Sequence, residues 1–371
     1  MLRRSLENTI KSKLGKRKAI LLIGPRQVGK TTLIKEVLQD RPYLFLDGDI
    51  LTVRQSLTDP NVETLRTIFG NHQYVFIDEA QRIHNIGLTL KIIVDNFPDV
   101  QLLVSGSSAF ELNASINEPL TGRKWEYEMF PISWQELEGN GGYLSALQQL
   151  NNRMVFGSYP DVINNPGDEI ELLDELTGSY LYKDILAFGG IRKPEVLEKI
   201  LRALAFQVGS EVSYNEVAQL VGIDKNTVSN YISLLEQSFV VFSLTSFSRN
   251  LRDEIKTNKK IYFFDNGIRN AIIQNFNPLE LRQDVGALWE NFLLAERKKR
   301  NAYQRNFVNG YFWRNFQQQE VDYVEEGNGE VRGFEFKWNP KANAKIPAVF
   351  EKTYQTSVKI VHRENFREFV V

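Results

Sequence analysis

Three stretches of this chain carry residue types whose spacing suits chemistry on phosphate. The first, Gly24-Pro25-Arg26-Gln27-Val28-Gly29-Lys30-Thr31, matches GxxxxGK[ST] at each fixed position, and Thr32 follows it. Glycines at those positions let backbone N–H groups close around phosphate oxygens, and a helix opening after the loop adds its partial positive charge. Lys30 is expected to reach the β- and γ-phosphates of a nucleotide, and Thr31 to offer a hydroxyl to Mg²⁺. The second, Tyr74-Val75-Phe76-Ile77-Asp78-Glu79, is four apolar residues ending in two acids. A buried strand delivers such carboxylates to the C-terminal edge of an open α/β sheet, where these sheets place their ligands. Asp78 is then expected on the Mg²⁺ shell, and Glu79 is the group that orients and polarises the attacking water. The alternative is a strand ending in a solvated acidic turn. The third stretch, Leu102–Ser108, is another apolar strand running into hydroxyls. Ser105 or Ser107 could sense a γ-phosphate there, although Ser and Gly also end strands for local reasons. Arg123 is either a cation acting in trans on transition-state charge or the partner of an acid. ATP and Mg²⁺ are the cofactors this set implies.

The elements that must position these residues follow from hydrophobic pattern. Strands are expected at Ala19–Ile23, Tyr43–Asp47, Tyr74–Ile77 and Leu102–Ser105, with a short one through Trp125–Met129 and a helix at Thr31–Leu38. Nearly all-apolar strands separated by helix-length segments predict a parallel sheet covered on both faces. From Pro131 to Pro194 the pattern is that of a helical lid, interrupted by Gly157–Pro160 and Gly189–Gly190. A helix near Pro194–Val208, then Ser213–Leu220, the turn Val221–Asp224 and Lys225–Glu236, with Asn226, Thr227, Ser229 and Asn230 near its start, read as helix-turn-helix. Phe239–Leu244 and the basic run Arg249–Lys260 would form its wing. Beyond lie a strand at Ile261–Asp265, a helix at Ala287–Arg300, and strands near Gly310–Arg314, Glu320–Glu325 and Gly333–Trp338.

Composition bounds the function. A length of 371 residues suits two or three domains, and 42% hydrophobic with 25% charged residues is ordinary for globular cores. A net charge of −1 confines any nucleic-acid binding to local patches. The absence of cysteine excludes disulfides and thiolate metal sites, and the three histidines lie far apart in the chain. The basic N-terminus is not followed by an apolar run, and no apolar stretch approaches the ~20 residues of a membrane span. A cytoplasmic location without a membrane partner is the expectation.

The strings GPRQVGKTT, FIDEAQR, LLVSGSSAFEL, LTGRKWEYEMFPISWQE, GSYPDVI, YLYKDI, KIYFFDNGIRNAI, LWENFLLAE, YFWRN, EVDYV and FEFKW span nearly the whole chain. Together they resemble a bacterial and archaeal group of AAA+ ATPases with a further C-terminal region. The resemblance implies an α/β fold: a P-loop AAA+ parallel-sheet domain (1–135), a helical lid (136–194), a winged helix-turn-helix (195–258) and a restriction-endonuclease-like domain (259–371). It also implies assembly into homo-oligomers, in which Arg123 would serve a neighbour.

In the last domain Glu290 lies on a helix, Asp322 in EVDYV, and Glu335 and Lys337 in FEFKW. Alternation puts Glu335 and Lys337 on one strand face and Phe334, Phe336 and Trp338 on the other. The arrangement resembles the PD-(D/E)xK nuclease site, in which Asp322 and Glu335 would hold Mg²⁺ and Lys337 would position the attacking water. Val321 stands where that motif has proline. Gln355 is a further candidate. Arg297, Lys298, Lys299, Arg300 and Arg305, with Tyr303 among them, are either a phosphate-contact surface or the usual cationic end of a helix. DNA is thus the leading partner, through Lys225, Asn226, Thr227 and Asn230, with a protein partner as the alternative.

Overall fold

Five short strands dominated by Ile, Leu and Val build the first sheet: β1 (Ala19–Ile23), β2 (Tyr43–Asp47), β3 (Tyr74–Asp78), β4 (Gln101–Gly106) and β5 (Lys124–Glu128). The computed structural model describes residues 2–107, 119–181, 194–248 and 259–371. It divides the chain into two units, Met1–Ile132 with Gln237–Phe239, and Ser133–Glu236 with Val240–Val371. In the first unit the strand order is β2-β3-β4-β1-β5, and every neighbouring pair is parallel. β1 and β4 are buried along their whole length, as strands without polar alternation must be. Helices α1 (Leu6–Lys11), α2 (Lys30–Val37), α3 (Leu51–Leu57), α4 (Val62–Phe69) and α5 (Ile86–Asn96) complete this unit. α2 packs through Leu33, Ile34 and Val37, which share one face at helical spacing. The five expected strands are all present, to within a residue at each end.

Since all five strands run the same way, their C-terminal ends meet at one edge. β4 lies between β1 and β3, with Ile23 opposite Gly106 and Ile77 opposite Val104. The hydroxyls that end β4 therefore stand between the glycine loop and the acidic pair.

The second unit opens with α6 (Trp134–Gly141), α7 (Tyr143–Gln148), α8 (Leu150–Phe156), α9 (Pro160–Asn164) and α10 (Glu169–Glu175), followed by a π-helical turn at Leu176–Leu181. Ser133 and Glu136 close a reciprocal capping box at the start of α6. Next come α11 (Pro194–Phe206), β6 (Glu211–Val212), α12 (Tyr214–Val221), α13 (Lys225–Gln237), β7 (Val241–Ser246), β8 (Lys259–Phe263) and α14 (Asn266–Ile272). The chain ends with α15 (Val285–Gln304), β9 (Asn309–Arg314), β10 (Glu320–Gly327), β11 (Glu330–Lys337), α16 (Ala348–Tyr354), β12 (Val358–His362) and α17 (Arg367–Val370).

These strands form one sheet of order β12-β11-β10-β9-β7-β8-β6. β8 pairs antiparallel with both β6 and β7, β9-β10-β11 is an antiparallel meander, and β12 adds parallel to β11. A short parallel contact, Thr245 with Tyr311 and Ser246 with Phe312, joins the two groups. β8, grouped with the C-terminal region on sequence alone, thus pairs with strands that precede it. One layer of the core beneath this sheet is Phe247, Trp313, Val321, Val324, Phe350 and Val358. Ser108–Leu112, Tyr182–Ile185, Gly189–Gly190 and Arg249–Asn258 lie outside the described residues.

Candidate functional site

The glycine loop leaves β1 at Ile23 and enters α2 at Lys30, with Gly29 left-handed (φ 92°) as the helix N-cap. Gly24 has φ 154°, and a Cβ there would lie 2.0 Å from the carbonyl oxygen of Met129, so the loop turns where a side chain has no room. Met129 N–H donates to Ile23 O at 2.7 Å, holding the chain after β5 against this turn. Arg4 adds a brace: its guanidinium donates to Val28 O (2.7 Å) and Phe130 O (2.5 Å). The Lys30 ammonium is buried and donates to Gly24 O (2.9 Å) and Pro25 O (2.7 Å), inside the loop's own curve.

Across the β1–β4–β3 edge, Thr31 Oγ1 donates to Asp78 Oδ2 at 2.7 Å, and Ser105 Oγ donates to Asp78 Oδ1. Gly48 N–H donates to Asp78 O at 2.9 Å, so the end of β2 also secures this residue. Glu79 follows in the left-handed region (φ 47°), a conformation that costs a non-glycine residue on the order of 1 kcal/mol or more and recurs at functional sites. Its Oε2 accepts from Gln81 Nε2 at 2.5 Å, and the same amide donates to Ser107 Oγ at 2.8 Å. The structure therefore brings together Lys30, Thr31, Asp78, Glu79 and both hydroxyl candidates, Ser105 and Ser107, and adds Gln81. Gln81 had no sequence signal beyond its place two residues after Glu79.

Nucleotide and Mg²⁺ fit these residues. The loop bears a buried lysine and a helix N-terminus, and Thr31 with Asp78 pairs a hydroxyl with a carboxylate, the hard-oxygen donors Mg²⁺ takes. Arg123 lies at the other edge of the sheet. Its carbonyl accepts from Ala19 N–H at the start of β1, and its guanidinium donates to Asp95 at 2.6 Å. Within this chain it pairs with an acid rather than with the phosphate loop.

The second unit gathers the C-terminal candidates, together with cations. Lys337 Nζ donates to Glu335 Oε1 at 2.7 Å, and Asp322 Oδ2 accepts Phe336 N–H at 2.7 Å. Phe334 and Phe336 face away, packed on Phe369. Glu290 Oε1 accepts from Tyr262 Oη at 2.6 Å and lies 3.4 Å from Lys260 Nζ, which also pairs with Glu320. Burial and the Glu290 charge push the Asp322 carboxyl up to about 7. Burial opposes the Lys260 charge, but Glu290, Glu320 and Asp322 together hold its pKa above the ordinary value. Among the described residues no three His, Cys, Asp or Glu side chains converge as a metal site. The arrangement is a carboxylate cluster already paired with lysines, which does not fit Mg²⁺ on Asp322 and Glu335. Gln355 caps the C-terminus of α16 with φ 52°, its backbone N–H donating to Glu351 O.

Two groups of basic residues are more buried than their residue type suggests. Lys260, read as the end of the wing's basic run, lies on β8 at 3% exposure, with the carboxylates of α15 and β10 as its neighbours. Arg297 and Lys299 are interior as well. Arg297 makes a two-pronged pair with Glu325 (2.7 and 2.6 Å) and Lys299 bonds Glu296 at 2.7 Å. Lys298 lies over the rings of Phe242 and Phe264, and Arg300 donates to Phe369 O at 3.0 Å. Arg297, Lys299 and Arg300 thus serve the fold, whereas Lys298 and Arg305 are exposed.

Residues 16–138 match the family model of an AAA domain, and residues 147–279 and 285–369 match two domains of unknown function (DUF8612 and DUF4143). An uncharacterized protein of Mycobacterium tuberculosis is 29% identical over 341 residues, covering 90% of this chain and 74% of that protein. One from Methanocaldococcus jannaschii is 24% identical over 303 residues, covering 69% of this chain and 63% of that protein. A Walker-type ATPase of Pyrococcus abyssi superposes with a TM-score of 0.52 at 15% identity, covering 74% of this chain and 96% of that one. The fold resembles that of a Walker-type ATPase, and residues 16–138 form an AAA-like P-loop domain. No helix among the described residues is long and apolar enough to cross a membrane.

Proposed function

We propose that the chain hydrolyses ATP at the edge formed by Lys30, Thr31, Asp78 and Glu79, and that its second unit is a docking module that brings this ATPase to DNA. The observation that carries the first half is the connected set Thr31–Asp78–Ser105 and Glu79–Gln81–Ser107, which joins loop, acids and the end of β4. ATP with Mg²⁺ supplies the phosphoanhydride and the neutralised phosphate charge; Thr31 and Asp78 would hold the metal. Lys30 binds phosphate oxygens by releasing the loop carbonyls of Gly24 and Pro25. Glu79 accepts the proton side of the attacking water, and Gln81 keeps its carboxylate aimed. Lys30→Ala is expected to abolish nucleotide binding or turnover, and Glu79→Gln to bind ATP without releasing product. Unchanged turnover in both variants would overturn the reading.

The second half rests on the order α11-β6-α12-α13-β7-β8 with the antiparallel trio β6-β8-β7, the arrangement of a winged helix. Asp224 caps α13 by accepting Thr227 N–H at 3.0 Å, leaving Lys225, Asn226, Ser229 and Asn230 exposed along its first turns. The order α15-β9-β10-β11-α16-β12 supports reading residues 285–371 as restriction-endonuclease-like. DNA affinity that falls with salt, and falls further in Lys225→Ala, is the expected result. Affinity indifferent to both would move the reading to a protein partner captured in a nucleotide-dependent way. Homo-oligomerisation and a cytoplasmic setting are part of the same proposal.

A further inference from the structure

A restriction-endonuclease-like domain that cuts needs a divalent cation among its acidic side chains. In this chain the acids are served differently. Glu290 comes from α15, Glu320 and Asp322 from β10, and Glu335 from β11. Lys260 enters from β8, 3% exposed, with its ammonium on Glu320 and 3.4 Å from Glu290. Tyr262, two residues along the same strand face, donates to Glu290 Oε1 at 2.6 Å. Lys337 holds Glu335 at 2.7 Å, and the backbone N–H of Phe336 holds Asp322 at 2.7 Å. Arg314 stands 3.9 Å from the other oxygen of Glu320. Each carboxylate thus has a donor or a cation of its own.

Mg²⁺ demands near-octahedral oxygen at about 2.0–2.1 Å. A buried ammonium on Glu290 and Glu320, near enough to Asp322 to act on its charge, repels such an ion across a short, poorly screened distance, and the lysine cannot leave without stranding its charge. We infer that Lys260 is the resident cation of this carboxylate cluster, replacing the divalent metal of a cutting enzyme, so that the C-terminal domain docks without cleaving nucleic acid. The inference rests on the restriction-endonuclease-like reading of residues 285–371. It also gives the cluster a second use. Lys260 belongs to the β6-β8-β7 trio, whereas its partners belong to α15 and β10, so the ion cluster splices the two halves of the seven-stranded sheet. The β7–β9 ladder between them is short, pairing Thr245 with Tyr311 and Ser246 with Phe312, and Asn291 of α15 also bonds Phe263 of β8.

The test uses the full chain without nucleotide and Mn²⁺ as probe, read by loss of the free-ion EPR signal and by melting temperature. Asp322→Asn is expected to leave Mn²⁺ binding by the parent unchanged. Lys260→Met is expected to melt lower, to gain a Mn²⁺ site that Lys260→Met/Asp322→Asn lacks, and to recover stability with Mn²⁺ or with Glu290→Gln added. A Mn²⁺ site in the parent that Asp322→Asn removes would overturn the inference. So would a Lys260→Met variant that melts like the parent and takes no metal. Should Lys260→Met not fold, DNA cleavage decides: any Mn²⁺-dependent cutting by the parent that Lys337→Ala abolishes sinks the inference. ATP turnover, scored with Lys30→Ala as its own control, is unaffected by either result and so keeps the ATPase reading separate.

Discussion

Replacing Gln81 by alanine removes one amide that bonds two partners at the heart of the nucleotide site. Gln81 is 6% exposed, donating to the Glu79 carboxylate at 2.5 Å and to the Ser107 hydroxyl at 2.8 Å. A hydrogen bond to a charged group contributes about 1.5–3 kcal/mol. The amide is a donor that holds the direction of the Glu79 carboxylate at Oε2. If that interaction serves the aim of the carboxylate during water attack, the loss converts at about 1.4 kcal/mol per decade into a roughly 10- to 100-fold fall in kcat. Lys30 and Thr31 are not bonded to Gln81, so KM for ATP should hardly move. A steady-state phosphate-release assay, with melting temperature measured alongside, separates the two parameters. Gln81→Glu should be slower still, because it sets two carboxylates against each other. An unchanged or raised kcat in Gln81→Ala, in a variant that melts like the parent, would refute the positioning role.

Three further outcomes follow from the geometry. Gly24→Ala places a Cβ 2.0 Å from Met129 O, a backbone atom, so nucleotide affinity should fall at least tenfold in a fluorescent-nucleotide titration. Gly157→Ala, at φ 70°, would push its Cβ to 1.8 Å from Asp265 Oδ1, and that buried carboxylate accepts Ser158, Gly267 and Ile268 N–H groups. A stability loss of about 2–4 kcal/mol by denaturant unfolding is expected. Asp284 is held at about 2, below its ordinary 3.8: burial opposes its charge, but Arg282 and Arg269 outweigh it. A depressed carboxylate stabilises the fold above its unfolded value and loses that contribution as pH falls through the folded one. The stability gap between the parent and Asp284→Asn, about 2 kcal/mol near neutrality, should therefore close between about pH 4 and pH 2.

What could be read from sequence alone was what is local. The glycine loop, its lysine and hydroxyl, and the acidic pair each occupy a run of consecutive residues whose strand or helix is set by its own hydrophobic pattern, and all five strands of the first sheet follow. The helix-turn-helix after Pro194 was legible for the same reason, through period and turn residues, whereas β6, α14, β12 and α17 were not foreseen. Residue type, by contrast, says little about which face of which element a charge meets. Lys260 and Arg297 look on sequence like surface cations, yet both are interior, because a partner carboxylate arrives from 28 or more positions away. Ser105 reaches Asp78, and Ser107 reaches Gln81, through the insertion of β4 between β1 and β3. That insertion is a property of sheet order, which no single strand encodes. The sequence by itself determined the chemistry available at the nucleotide loop; the tertiary structure decided which charges are spent on one another and which remain for a ligand, since that pairing depends on distances only the folded sheet creates.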